Sequence, residues 1–91
     1  MVQFDWDLKK EILNIKKHGV DFRTAVLAFR DPNSLIVFDE RHSVQEPRFF
    51  CFGKVNGLIL TVRFVYQAGM VRIIGAGYWR KGKRLYEEKK S

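Results

Sequence analysis

The dipeptide Asn56-Gly57, set between two apolar runs, constrains this chain more than any other feature. A two-residue type I′ turn needs positive φ at both central positions, which Asn and Gly tolerate and most residues do not. The turn therefore commits residues 48–53 and 58–66 to antiparallel strands. Gln67-Ala68-Gly69 turns the chain again, and residues 70–76 form the next strand. Residues 35–38 are a buried run ahead of these. Together they predict a four-stranded antiparallel meander. Residues 2–6 read as a short strand or an extended lead-in.

Ahead of the meander the period changes. Leu8, Ile12 and Ile15 recur at i, i+4 and i+7, one apolar stripe of a helix whose N-cap is Asp7. Lys16, Lys17 and His18 fall in its last turn, where cations complement the helix dipole, and Gly19 fits a left-handed C-terminal cap. Asp21 is placed to cap a second helix with a stripe of Phe22, Ala25, Val26 and Phe29, which Asp31-Pro32 ends. Residues 79–88 read as a final helix, in which Gly82 costs about 1 kcal/mol relative to Ala. The expected fold class is α+β: two N-terminal helices, a four-stranded antiparallel sheet and a C-terminal helix, in one domain spanning residues 1–91.

Composition narrows the function. The net charge is +7, but residues 1–47 balance at −1 and residues 48–91 at +8. A basic half of this kind serves either solubility or a polyanionic partner. The apolar runs are too short to span a membrane, and the N-terminus has no basic and apolar leader, which favours the cytoplasm. The single cysteine, Cys51, lies among Phe49, Phe50 and Phe52, the setting of a buried, inert thiol, and no zinc-ligand spacing surrounds it.

Three groups are candidates for chemistry. Lys17 and His18 close the first helix, either as a basic C-cap or as an anion site. Arg41, His42, Ser43, Glu46 and Arg48 share a polar segment, either a solvated loop or a cluster in which His or Glu moves protons and Arg holds phosphate. Arg63 and Arg72 interrupt apolar strands, and Tyr78 and Trp79 precede Arg80, Lys81, Lys83 and Arg84. Aromatic rings beside cations match the stacking-plus-charge pattern of single-stranded nucleic-acid binding, although Trp79 could equally pack on the sheet. RNA cleavage needs little more than such groups. The ribose 2′-hydroxyl is the nucleophile, a base and an acid move protons, and a cation stabilises the transition state. The reading calls for no cofactor and no metal.

These segments together resemble the BrnT family of ribonuclease toxins. The residues that carry the resemblance are Phe4-x-Trp6-Asp7, Lys10, Asn14, Lys17-His18-Gly19-Val20-x-Phe22-x-x-Ala25, Phe29-x-Asp31-Pro32, Asp39-x-x-His42-Ser43-x-x-Glu46-x-Arg48-Phe49, Gly53 and Arg72-Ile73-Ile74-x-Ala76. The resemblance implies a RelE-like fold and a metal-independent endoribonuclease that cleaves mRNA and inhibits growth. It also implies a small BrnA-type antitoxin with a ribbon-helix-helix part, a hetero-oligomer with it, and contact with operator DNA only through it. On this reading Lys17, His18, His42, Glu46, Arg48 and Arg72 are catalytic, and Arg63, Tyr78, Trp79, Arg80, Lys81 and Arg84 grip RNA. One departure stands out. Family members commonly read Ile-Ser-Ala-Arg-x-Ala after the last strand, and here the Arg position is Gly77, with Arg80 or Lys81 as substitutes. The alternative is a degenerate module that holds an antitoxin or RNA without cleaving it.

Overall fold

The computed structural model describes residues 2–90. Its elements run β1 (Phe4–Trp6), α1 (Leu8–His18), α2 (Phe22–Ala28), β2 (Leu35–Phe38), β3 (Phe49–Val55), β4 (Leu58–Gln67), β5 (Met70–Gly77) and α3 (Arg80–Lys90), with a short 3-10 turn at Glu40–His42. The strands form one five-stranded sheet in the order β1-β5-β4-β3-β2. This corrects the expected four-stranded antiparallel sheet. The lead-in is a true strand, and it pairs parallel to β5, with Phe4 opposite Val71 and Trp6 opposite Ile73, so the sheet is mixed. The direction of an edge pairing depends on how the chain returns, which local alternation does not encode.

The hairpin forms as expected. Asn56 and Gly57 both have positive φ, 52° and 82°. One sheet face packs against α2 around the fully buried Phe22, Leu60, Phe64 and Ile73, each worth about 1.5–3 kcal/mol of burial. The other face carries a smaller cluster of Phe52, Ile59 and Tyr86 beneath α3. The Tyr86 hydroxyl donates to Asp31, which helps push its pKa up to about 12. Cys51 is fully buried, and burial, then the nearby Asp31 charge, pushes its thiol up to about 12.

The first helix is the main surprise. Asp7 caps it and Gly19 closes it in the left-handed conformation, as its sequence predicts. Its apolar stripe nevertheless faces outward: Leu8, Ile12 and Ile15 are 66, 51 and 44% exposed. The inward stripe is polar. Glu11 accepts the backbone N–H of Phe22 at 2.9 Å, so the cap of α2 comes from α1, and the side chain of Asp21 makes no capping bond. Asn14 is buried against the part of β5 that β1 is too short to cover. Its Nδ2 donates to the carbonyls of Ala76 and Val20 at 2.9 Å each, and its Oδ1 accepts the Ala76 N–H at 3.1 Å. The carboxamide thus pairs with β5 as a neighbouring peptide would. Asn14→Ala would strand these buried groups, and a loss of about 2–4 kcal/mol is expected in denaturant unfolding.

Candidate active site

Strand register places Gly75, Arg63, Phe50 and Val37 in one row across β5, β4, β3 and β2. The next row, Gly77, Thr61, Phe52 and Leu35, lies under α3, where a Cβ at Gly82 would stand 2.0 Å from Thr61 Oγ1 and 2.9 Å from the Phe52 ring. The glycine that weakens the helix locally is therefore what lets the helix reach the sheet. Thr61 and Phe52 are buried beneath α3, whereas Arg63, Phe50 and Val37 are only half-buried.

Two features give Arg63 its position. Ile74 is the extra residue of a bulge between the Phe64–Ile73 and Arg63–Gly75 pairs. A Cβ at Gly75 would lie 3.0 Å from Arg63 Nε and 3.1 Å from Nη2, so the missing side chain leaves the guanidinium its room. Beside it opens a cleft of about 260 Å³, lined by Lys10, Leu13, Asn14, Lys17 and His18 from α1, together with Arg48, Arg63 and Ile74. Four cationic side chains and a histidine converge there, and among the described residues no carboxylate lines the cleft. The Nε atoms of both Arg48 and Arg63 are buried without a hydrogen-bond partner among the described residues. Buried charged donors are normally paired, so two unpartnered guanidinium nitrogens are an exception.

His18 meets the indole of Trp79 edge to face, ring centroids 5.1 Å apart at 86°. Trp79 in turn lies over Gly77, where a Cβ would come within 2.6 Å of the indole carbons Cε2 and Cζ2. Gly77 thus makes space for the ring that braces His18. Neither proposed substitute, Arg80 or Lys81, lines the cleft.

The sequence-predicted residues therefore separate. Lys17, His18, Arg48 and Arg63 come together. Arg72 lies elsewhere: its Nη1 donates to Asp5 of β1 at 2.5 Å, an ion pair made possible by the parallel pairing. His42 sits on the 3-10 turn and is held through Nδ1 by Asp39, 2.9 Å away. Glu46 is exposed and lines no part of the cleft. Tyr78 is exposed, Arg80 and Arg84 lie on the outer surface of α3, and Lys81 also reaches a second groove. Lys10 and Asn14 carry part of the resemblance but are given no site role by the sequence, and neither are Leu13 and Gly75. Lys10, Asn14 and Lys17 are spaced i, i+4, i+7, and that polar stripe is the signal that marks them.

The family model described as ribonuclease toxin, BrnT, of type II toxin-antitoxin system matches residues 6–82. The chain belongs to the BrnT family. Comparison with curated proteins gave no match. The BrnT match spans every residue that lines the cleft and reaches the Gly82 contact, leaving most of α3 outside. A BrnT protein is a ribonuclease toxin with an antitoxin as partner. Among the described residues no helix is long and apolar enough to cross a membrane.

Proposed function

We propose that the cationic cleft holds the scissile phosphate of single-stranded mRNA, and that the protein is an endoribonuclease needing no metal ion. The unpartnered, buried Nε groups of Arg48 and Arg63 carry this reading. Charge-assisted bonds from two guanidiniums to the phosphate oxygens would satisfy them and stabilise the charge that builds in the transition state. The attacking group is the RNA's own 2′-hydroxyl. His18 is the cleft group that can take its proton, and Lys17 is one that can give a proton to the leaving 5′-oxygen. His18 is braced by Trp79, which favours it over the more distant His42 as the proton carrier. Arg72, bound to Asp5, takes a structural role, and Tyr78, Arg80, Lys81 and Arg84 supply a basic surface for flanking RNA.

Membership of the BrnT family supports a wider role. The chain acts in the cytoplasm as a single toxin unit over residues 1–91, with helices ahead of a sheet meander in support of a RelE-like fold. A BrnA-type ribbon-helix-helix antitoxin silences it in a hetero-oligomer, which touches operator DNA through the antitoxin.

Purified protein incubated with single-stranded RNA and a chelator tests the proposal. The expected products end in 2′,3′-cyclic phosphate. Products with 3′-hydroxyl ends, or a requirement for added metal, would overturn the mechanism. RNA that is bound but left intact would favour the non-cleaving module, to which Gly77 in place of the family arginine points.

A further inference from the structure

A second concavity adjoins the cleft and shares Arg63 with it. Its volume is about 510 Å³, large enough for a nucleoside, and its walls include Phe50, Phe52, Trp79 and Leu85. Phe50 and Arg63 are directly opposite each other on β3 and β4, so one ring and one guanidinium stand side by side on the same sheet face. Phe50 is stacked on Phe52, centroids 5.8 Å apart and planes 17° from parallel, which fixes its ring. Trp79 separates the groove from His18. Its polar lining is Asp39, Glu40 and Arg41 at the 3-10 turn, with Thr61, Arg63 and Lys81. A concave, mostly apolar site with a few polar groups at its rim is the form small aromatic ligands take.

We propose that this groove is a nucleobase subsite: it stacks the base of the nucleotide whose phosphate is held at Arg63. The inference rests on the RNA reading of the cleft and adds to it the element that places the chain. A phosphate clamp alone binds any polyanion. A stacking site one sugar away from it binds single-stranded RNA in a defined register, because a base paired in a duplex cannot leave its stack without cost. The order of groups along the sheet matches the order along a nucleotide: cations at the α1 end, Arg63 at the junction, and aromatic walls beyond it.

A series of short single-stranded RNAs decides the matter, one intact and each of the others with abasic ribose at one successive position, with binding read by fluorescence anisotropy and cleavage read in parallel. At one position, removal of the base is expected to weaken binding roughly tenfold to a hundredfold, the range seen when base–aromatic stacking is lost. Phe50→Leu, which keeps an apolar side chain beside Phe52, is expected to weaken binding of the intact RNA by a similar factor. It should leave the RNA abasic at that position unaffected, whereas a merely structural role would lower both alike. Equal binding of intact and abasic RNAs, or an equal effect of Phe50→Leu on both, overturns the subsite while leaving the phosphate cleft standing. Binding of neither RNA overturns the RNA reading and the subsite with it. Strong binding without cleavage still decides for or against the subsite, since affinity is the primary readout.

Discussion

An Arg63→Gln variant is expected to cleave RNA about 10²–10³-fold more slowly than the parent protein, the usual loss when one transition-state donor is removed. It is expected to melt no lower. Arg63 Nε is buried and unpartnered in the free protein, so substitution breaks no hydrogen bond there and removes a cost of burial. Arg48→Gln should behave the same way, since its Nε is also unpartnered and its side chain lines the same cleft. This combination, activity lost and stability kept or raised, marks a site built for something other than the fold. Arg72→Ala should show the opposite pattern. Its pair with Asp5 is partly exposed, so its removal should cost at most about 1 kcal/mol and leave most of the cleavage intact. Growth arrest on expression of each variant, with melting temperatures of the purified proteins, checks all three. Full toxicity of Arg48→Gln and Arg63→Gln, together with loss of toxicity in Arg72→Ala, would place the phosphate elsewhere.

The contrast between these arginines shows what the sequence made legible. Asn56-Gly57 set the register of β3 and β4, and that register alone puts Arg63 beside Phe50. The Asp7 and Gly19 caps bounded α1, and the charge imbalance pointed to a polyanion. Alternation could not separate Arg63 from Arg72, because each interrupts an apolar strand in the same way. What separates them is non-local: the parallel pairing that brings Asp5 to Arg72, and the absence of a side chain at Gly75 beside Arg63. The stripe rule failed on α1 for a related reason. It assumes that a helix buries its apolar side, but β1 is short and leaves peptide groups of β5 uncovered. Asn14 satisfies them, and so the polar side turns inward. The inverted helix in turn delivers Lys10, Lys17 and His18 to the cleft. The outward apolar face and the placement of Lys10 have one cause.

The departure at position 77 also changes meaning. On sequence it is a missing cation. In the structure Gly77 and Trp79 act as a pair, the first admitting the ring and the second bracing His18. Arg63 reaches the cleft from β4, the strand beside β5.

The largest expected effect on the fold lies at Gly53. A Cβ there would stand 2.0 Å from the carbonyl oxygen of Ala28 and 2.7 Å from its carbon, so α2 lies backbone against backbone on β3. Ala25 and Ala28, both fully buried, allow that approach from the helix side. No rotamer change relieves a clash with main-chain atoms. Gly53→Ala must lift α2 off the sheet, opening the packing around Phe22 and Phe64, which share that core. Overpacking of a core costs about 1–3 kcal/mol where side chains can shift, and the upper end or beyond is expected here. At about 4–8 °C per kcal/mol for a domain of this size, the melting temperature should fall by more than about 12 °C. Gly82→Ala is the informative comparison. Its nearest obstacle is the Thr61 hydroxyl, a side-chain atom that makes no hydrogen bond among the described residues. Thr61→Ala should therefore restore part of the stability lost in Gly82→Ala and none of that lost in Gly53→Ala. A Gly53→Ala protein that melts within a few degrees of the parent would show that α2 has room to move, and that the close approach is not what holds it.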